Sequence, residues 1–406
     1  MRYAALVDRI AGHGARAWDI HYAAQQRRDN GEDVIVLSVG DPEFDTPAPI
    51  VDAAVASLRR GRHHYTPTIG ILELRAAVAR HHHGTTGQPV DAANVAILPG
   101  AQNALMTVAL CVLGDGDEVI VPEPMYVTYE GVIGARGARL VNVPLRPEDD
   151  FQIDPGRIEA AVGPDSRAIL INTPHNPTGA VISYDVLEGL ADICRRHDLW
   201  MISDEVYASI TYDAHHVSPC ALLGMAERSA TVSSLSKSHA MTGWRLGWVV
   251  GPRDLIQHVE TLSGAMLYGS PPFIQDAALF ALDEELPQLA DMKAAYRTRR
   301  DLVCAALEAI DGISAKRPAG GMLVMADVRD SGLSSRRFME GLYERENVSV
   351  LAGDAFGPSG AGHIRISLAP SEPELLEGCR RIARFAAAAR VDDGVREARV
   401  AFARQY

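Results

Sequence analysis

The sequence predicts an α/β fold in which a mostly parallel sheet, flanked by helices, forms a large domain beside a smaller α+β domain. Short β-branched segments alternate with helical patterns through the middle of the chain, as in parallel sheets covered on both faces. From about Glu285 the pattern becomes strand–helix–strand–helix. At 406 residues the chain is too long for one ordinary core. We therefore predict a large domain over 46–285 and a small domain over 286–406, which residues 1–45 join.

The individual elements follow from hydrophobic periodicity. Tyr184–His197 places five apolar residues on one helical face, and helices are also predicted at Asn103–Leu113, at Ala290–Ile310 and from Glu372. Short apolar segments predict the strands. These are Val34–Ser38, Val95–Leu98, Glu118–Val121, Arg139–Val143, Ala168–Ile171, Trp200–Ser203, Ala230–Ser233 and Leu246–Val250, followed by strands in the segments GMLVMADV and HIRISLAP. In such sheets, ligands bind beyond the carboxyl ends of the strands.

Composition excludes several classes of protein. The net charge of −13 argues against a nucleic-acid partner, and no apolar segment is long enough to span a membrane. The N-terminus lacks the apolar stretch of a secretory signal, so we predict a soluble, cytoplasmic protein. Five widely spaced cysteines, with no CxxC pair, are predicted to be reduced thiols. The adjacent histidines at 63–64 and 81–83 do not converge on one ion, and no metal site is predicted.

One lysine stands out among the three in the chain. Lys237 lies in SSLSKSHAMTGWRLGW, directly after a predicted buried strand. A lone ammonium in that position, among hydroxyls, is typical of a Schiff-base lysine. Ser234 and Ser236 precede it and Arg245 follows it, and hydroxyls with a guanidinium are the groups that bind a phosphate monoester. A plain surface turn would not explain this set.

Other motifs follow strands as well. LPGAQNAL is a strand, a glycine turn and a helix start, which directs free N–H groups at an anion. If Asp204 in ISDEVY is buried, its carboxyl group must either be neutral or pair with a cation, such as a pyridinium N–H or a protein arginine. Asn176 lies in the turn NTPHNPTG. Arg365 lies in the apolar strand HIRIS, where a buried guanidinium needs an anion.

Together, HNPTG, SDEVY, SLSKSHAMTGWR and HIRIS resemble, in this order, the class I aminotransferases of pyridoxal-phosphate fold type I. The resemblance extends from about Arg2 to Phe385. Within that family, the segments AWDIHY, LSVGDPEFDTPAPI, EPMYVTYE and HDLWMISDEVY are most similar to members that transaminate arginine with pyruvate, and enzymes of guanidino amino acid biosynthesis are neighbours. The resemblance implies a cytoplasmic homodimer that uses pyridoxal 5′-phosphate.

The resemblance also implies a role for each matching residue. Lys237 binds the cofactor and shuttles a proton, while Asp204 pairs with the pyridinium nitrogen. The remaining roles divide between the cofactor and the substrate. Tyr207 and Asn176 bond the ring oxygen, and Tyr126 stacks on the ring. The phosphate is held by Gly100, Ala101, Gln102, Ser234, Ser236 and Arg245, with Tyr65 from the neighbouring subunit. The substrate is bound by Arg365, Gly40 and Asn176, and its side chain lies near Trp18 and Asp19. The alternative for Asp19 is a charge at a helix N-terminus that faces water.

The sequence leaves three hypotheses about the function. The first is ping-pong transamination, through pyridoxamine phosphate, between a guanidino amino acid and a 2-oxo acid such as pyruvate. The second keeps the cofactor but serves aromatic or kynurenine-type donors, or acts as a cysteine-S-conjugate β-lyase. The third, a non-enzymatic regulator domain, is disfavoured because no added DNA-binding domain is seen. No second arginine can be placed for a distal carboxylate, which disfavours aspartate and glutamate as donors.

Overall fold

The computed structural model describes residues 2–12 and 14–405, and it describes their side chains except those of residues 15, 16 and 391–405. Within this part of the chain the α-helices are numbered α1 to α13. In order they are Leu6–Ala11, Asp19–Asp29, Ala48–Arg59, Leu72–Thr86, Ala101–Val112, Tyr129–Gly134, Pro155–Ala160, Tyr184–His197, Arg253–Met266, Pro272–Asp283, Pro287–Glu308, Ser335–Glu346 and Glu372–Gln405. Among these helices, none is both long enough and apolar enough to cross a bilayer.

The strands of the same residues are numbered β1 to β13. In order they are Ile35–Val36, Val95–Leu98, Glu118–Glu123, Arg139–Pro144, Ser166–Asn172, Trp200–Asp204, Ser229–Ser234, Gly247–Val250, Ser314–Ala315, Leu323–Asp327, Val348–Ser349, Leu351–Ala352 and His363–Ser367. The predicted strand Val34–Ser38 contains only two residues in regular strand pairing. The predicted helix Ala290–Ile310 is α11, which begins three residues earlier because Pro287 is well suited to a first helical turn.

The large sheet confirms the predicted fold class. Its strand order is β2-β8-β7-β6-β5-β3-β4. β8 is antiparallel to β2 and β7, and the other neighbouring pairs are parallel. Parallel strands need crossover connections, and α6, α7 and α8 supply them between β3 and β6. The carboxyl ends of β2, β3, β5, β6 and β7 therefore meet at one edge.

Both faces of this sheet are buried by helices. On β3, Val119 and Val121 pack into one apolar cluster, while Ile120 between them packs into the cluster on the opposite face. This follows from the two-residue period of a strand. α8 covers the second face and has the predicted bounds: the hydroxyl of Ser183 accepts a hydrogen bond from the amide of Val186 at its start.

A second layer of structure forms from the ends of the chain. β12-β13-β10-β9 is an antiparallel sheet, and β1 pairs with β11 in parallel, with Ile35 opposite Val348. The N-terminal segment is therefore bonded to the C-terminal third of the chain. β13 lies between β10 and β12, so its residues are buried on every side. This places Arg365 in the interior, facing the edge of the large sheet.

Candidate active site

A cavity of about 220 Å³ lies at the carboxyl ends of the large sheet's strands. β2, β3, β5, β6 and β7 each contribute residues at or just after their carboxyl ends, as expected for ligand sites of open α/β sheets. The cavity brings together most of the residues predicted from the sequence. These are Trp18, Gly40, Ala101, Gln102, Tyr126, Asn176, Asp204, Tyr207, Ser234, Ser236, Lys237, Arg245 and Arg365.

One end of the cavity is suited to a phosphate group. α5 begins there at Ala101, and no side chain caps its first amides, so N–H groups remain available for an anion. Gly100, just before the helix, has φ +86°, and a Cβ on it would lie 2.5 Å from a guanidinium nitrogen of Arg245. Only glycine allows Arg245 to approach so closely. The buried hydroxyls of Ser234 and Ser236 complete a set of donors.

Asp204 lies at the end of β6 and is buried, 4% exposed. The hydroxyl of Tyr129 donates to its Oδ2 at 2.8 Å, and the amide of Val206 lies 3.3 Å from Oδ1. Among the described residues, no cation forms an ion pair with it. Burial is the main reason that the pKa of Asp204 rises to about 6, and the charge of Glu205 adds to it. A buried carboxylate in this state favours a cationic partner, such as a protonated ring nitrogen.

Lys237 lies across the same cavity, three residues after β7. Its Nζ donates a hydrogen bond to the carbonyl oxygen of Gly40 at 2.5 Å. The pKa of Lys237 is lowered to about 8, mainly by burial; the charge of Asp41 opposes this effect, and the charges of Arg365 and Arg245 add to it. An amine with a lowered pKa is partly neutral near pH 8, which is the form that attacks a carbonyl.

Arg365 also lines the cavity. Its two terminal nitrogens donate to Asn176 Oδ1 at 3.1 Å and to the Ser38 carbonyl at 2.6 Å, and its guanidinium lies 4.9 Å from the Phe356 ring centroid. Its Nε has no partner among the described residues. Burial lowers the pKa of Arg365 to about 10. A buried guanidinium with no carboxylate partner in the described chain is available for an incoming carboxylate.

Two tyrosines and an asparagine lie between these groups. Tyr207 is hydrogen-bonded to Asn176, and burial raises the pKa of Tyr207 well above its ordinary value. Burial also raises the pKa of Tyr126, whose ring packs edge-on against Tyr129 at 5.7 Å. Both hydroxyls are therefore neutral at physiological pH and can donate hydrogen bonds.

Three predicted residues lie outside the cavity lining: Gly100, which directly precedes α5 at the phosphate end, Tyr65 and Asp19. Tyr65 is 86% exposed, and its ring lies 5.2 Å from that of Tyr268. Asp19 begins α2 and lines a neighbouring cavity of about 610 Å³. Within one chain, the structure brings neither Tyr65 nor Asp19 to Lys237, so the roles of these two residues remain predictions.

Sequence reasoning missed several residues of the site. Thr242 lines the cavity, and its carbonyl accepts a hydrogen bond from Arg245 at 2.8 Å. The hydroxyl of Tyr129 donates to Asp204, and the position of Tyr129, six residues after the end of β3, is the one sequence signal that could have indicated it. His21 Nδ1 lies 3.1 Å from the Ser38 hydroxyl, near enough to Arg365 for the charge of that residue to act on it. In the part of the chain that the structure describes, no three His, Cys, Asp or Glu side chains are grouped for a metal ion.

Comparison with known proteins identifies the class. The model of the family "Aminotransferase class I and II" matches residues 32–382. The chain therefore belongs to this family and is an aminotransferase, an enzyme that acts on amino acids and 2-oxo acids. It is 56% identical over 387 residues to the arginine–pyruvate transaminase of Pseudomonas aeruginosa, covering 95% of this chain and 98% of that protein.

Other relatives act on different amino acids. The aspartate aminotransferase of Pyrococcus horikoshii is 37% identical over 88% of this chain and 92% of its own. Among solved structures, the aspartate aminotransferase of Thermus thermophilus with maleate has a TM-score of 0.90 at 34% identity, covering 95% of this chain and all of that one. An aromatic aminotransferase from Pyrococcus horikoshii has a TM-score of 0.85 at 38% identity, covering 89% and 98%. The fold is thus shared by enzymes with different donors.

Proposed function

We propose that the chain is a pyridoxal-phosphate-dependent transaminase that moves the amino group of arginine, or of a cyclic arginine derivative, to a 2-oxo acid such as pyruvate. The observation that carries this choice of substrates is the 56% identity to an arginine–pyruvate transaminase over nearly the whole chain. The chemistry is supported by the cavity, in which a lysine, a buried carboxylate, a phosphate-type donor set and a buried arginine lie together.

The donor set fits pyridoxal phosphate. The first amides of α5, the hydroxyls of Ser234 and Ser236 and the guanidinium of Arg245 would hold the phosphate. Asp204 would accept the ring N–H, and Tyr207 with Asn176 would bond the ring oxygen. When bound, this cofactor supplies an electron sink for charge that develops at the substrate Cα.

The chain's own groups orient the substrate and move the proton. Arg365 would bind the α-carboxylate through nitrogens already held by Asn176 and Ser38, which fixes the direction of Cα. Lys237 Nζ would take the Cα proton and return it in the reverse half-reaction. The buried walls of the cavity exclude bulk water from this exchange. Both half-reactions use the same site, which predicts ping-pong kinetics.

A donor screen tests the proposal. Purified enzyme loaded with pyridoxal phosphate is mixed with single amino acids, and the change in visible absorbance reports each half-reaction. Arginine is expected to react with the highest kcat/KM, and pyruvate is expected to restore the starting spectrum. A preference for tyrosine or kynurenine would instead favour the aromatic alternative, which the aromatic faces of Trp18 and Tyr126 also accommodate. Release of pyruvate from a cysteine conjugate would indicate β-lyase activity.

We predict that the Asp19 carboxylate pairs with the guanidinium of the amino donor. Asp19 directly follows Trp18, which lines the cavity. Asp19→Asn is expected to lower kcat/KM for arginine roughly tenfold or more, with a much smaller loss for alanine, because only arginine carries the distal charge. Steady-state kinetics with both donors measure this.

The matched control is Asp41→Asn. Asp41 is the residue after Gly40, and its charge acts on Lys237. Equal losses for arginine and alanine in Asp19→Asn would contradict a role in reading the guanidinium. A selective loss for arginine in Asp41→Asn, but not in Asp19→Asn, would assign that role to Asp41 instead.

We also propose a homodimer whose sites each receive Tyr65 from the partner. This is supported by the exposure of Tyr65 and by exposed apolar side chains on α3 and α4, namely Val51, Val55, Leu58 and Leu72. Mixing inactive Lys237→Ala with impaired Tyr65→Phe is expected to restore activity, because half the dimers would contain one intact site, about a quarter of all sites. Activity is measured after mixing under conditions of subunit exchange.

The control for this experiment mixes Lys237→Ala with Asp204→Ala. Both of these residues line the cavity of one chain, so no intact site forms and no activity should return. A fully active monomer in sedimentation would contradict the dimer, and a failure of the mixture of Lys237→Ala with Tyr65→Phe to regain activity would contradict the assignment of Tyr65 to the partner's site.

A further inference from the structure

A buried polar cluster lies on the opposite side of β6 from the cavity. Glu205 directly follows Asp204, and it shares a face with Ser203 because side chains alternate along an extended segment. Glu205 is 4% exposed. Asp204 therefore points toward the cofactor cavity, and the next residue places a second carboxyl group in the protein interior behind it.

The Glu205 carboxylate is held by three side chains. Its Oε1 accepts hydrogen bonds from the hydroxyls of Ser203 at 2.9 Å and Ser218 at 2.5 Å, and its Oε2 lies 3.0 Å from His216 Nε2. The other ring nitrogen of His216 is buried without a partner among the described residues. Burial raises the pKa of Glu205, but His216 and Ser218 outweigh it, so the pKa lies below its ordinary value. Glu205 is therefore ionised at neutral pH.

The same residue is bonded to the strand that leads to the phosphate end. The amide of Glu205 donates to the Val232 carbonyl at 2.8 Å, and the hydroxyl of Ser233 donates to the Glu205 carbonyl at 3.3 Å. Ser234, which lines the cavity, comes next. Glu205 thus links the turn that carries Asp204 to the turn that carries the phosphate-type hydroxyls.

The charges around this pair are few. Asp204 is faced by the neutral hydroxyls of Tyr129, Tyr126 and Tyr207, and the charge of Glu205 adds to the effect of burial in raising the pKa of Asp204. Glu205 is faced, besides His216, by His82 and by Cys220. Burial raises the pKa of Cys220 to about 12, so this thiol is neutral. Of these groups, His216 is the one whose side chain is bonded to the Glu205 carboxylate, at 3.0 Å from Oε2.

We propose that Glu205 and His216 form a positioning pair for the cofactor site: the pair fixes the turn after Asp204, and the charge balance within it sets how strongly Asp204 holds a cationic ring nitrogen. The inference rests on the proposed function, since it concerns cofactor binding. Neither residue touches the cavity, so both act through Asp204.

The proposal predicts that two variants shift the pH at which half the pyridoxal phosphate is lost, and that they shift it in opposite directions. Glu205→Gln removes a negative charge next to Asp204 while keeping groups that hydrogen-bond Ser203 and Ser218. Asp204 then ionises at lower pH, so the pH at which half the pyridoxal phosphate is lost should fall. His216→Gln leaves the charge of Glu205 unbalanced, so that pH should rise. We expect each shift to be roughly half a pH unit or more.

The measurement is equilibrium binding of pyridoxal phosphate between pH 5 and 8, followed by the cofactor's absorbance after removal of free ligand. Ser218→Ala is the matched control, because it removes one hydrogen bond to Glu205 but no charge, and its midpoint should remain close to that of the unaltered protein. Opposite shifts for Glu205→Gln and His216→Gln support the proposal. Shifts in the same direction, or no shift, would overturn it.

Each variant tests its own sign, so a variant that fails to fold leaves the other decisive. The result is also separable from the proposed function. If the unaltered protein does not bind pyridoxal phosphate, the proposed function fails. If it binds the cofactor and the variants do not differ from it, only the role of Glu205 and His216 is lost.

Discussion

Lys237→Ala is expected to abolish transamination, with a loss on the order of 10³ to 10⁴ or more in the rate of the half-reaction. Without Nζ, no group at this position takes the proton from Cα, and general acid–base catalysis contributes up to about 10⁴-fold. The protein is also expected to lose its covalent bond to pyridoxal phosphate. Borohydride reduction followed by peptide mass spectrometry identifies the lysine that carries the cofactor.

The sequence offers matched controls for this experiment, because Lys293 and Lys316 are its other lysines. Lys293 is exposed, and Lys316 forms an exposed ion pair with Asp150. Lys293→Ala and Lys316→Ala should keep activity and keep the label on Lys237. A reducible covalent bond that persists in Lys237→Ala would show that another residue holds the cofactor.

The pH dependence of cofactor capture follows from the same residue. The pKa of Lys237 is lowered, chiefly by burial, to about 8 in the cofactor-free protein. The neutral amine is the nucleophile, so the rate at which the covalent bond forms should rise with pH and level off above about 8. Stopped-flow absorbance measures this rate. A rate independent of pH between 6 and 9 would contradict the shifted pKa.

Asp204→Ala is expected to lower the half-reaction rate by on the order of 10² or more. The reason is that the ring nitrogen loses the anion that keeps it protonated, so charge at Cα is less stabilised. Some cofactor should still bind through the phosphate donors. Single-turnover kinetics with arginine at saturating pyridoxal phosphate separate this loss from weaker binding, and an unchanged rate would rule out the role.

The raised pKa of Asp204 also predicts how pH affects the stability of the cofactor-free protein. Burial raises its pKa from 3.8 to about 6, so the folded state binds this proton more tightly than the unfolded state. The stabilising contribution of the protonated group is present below about pH 4 and is lost as pH rises through about 6. Asp204→Asn should therefore stabilise the cofactor-free protein at pH 8, by up to roughly 3 kcal/mol.

The sign reverses when the cofactor is bound. The unaltered protein should gain more stability from pyridoxal phosphate than Asp204→Asn does, because only the carboxylate pairs with the ring N–H. Thermal melting with and without cofactor measures both effects. A loss of stability in cofactor-free Asp204→Asn at pH 8 would contradict the interpretation that the Asp204 carboxylate is buried without a charged partner.

Local patterns in the sequence predicted much of the fold. The strands of the large sheet were predictable because buried parallel strands are short, continuous apolar segments. α8 was predictable because its apolar residues recur with the helical period and Ser183 caps it. The placement of Lys237 and Asp204 at one edge also follows from sequence, since each lies at or just after the end of a strand and parallel strands end at the same side.

Only the tertiary structure decided how distant segments meet at this site. Arg365 bonds Asn176 and Ser38, residues 189 and 327 positions away, because β13 packs against the edge of the large sheet. No local pattern encodes such a packing arrangement. For the same reason, the hydrogen bond from Tyr129 to Asp204 and the pairing of Glu205 with His216 next to β6 could not be predicted from the sequence.

The same difference between local pattern and long-range packing explains where Asp19 and Tyr65 lie. Helical periodicity places Asp19 at the start of α2, but the direction in which its side chain points depends on how α2 packs, and it lines a different cavity from Lys237. The exposed position of Tyr65 likewise depends on the loop before α4. The sequence predicted which residues would carry the chemistry, because residue type and strand position are local properties. The packing of helices and loops determined their partners, because these contacts join segments far apart in the chain.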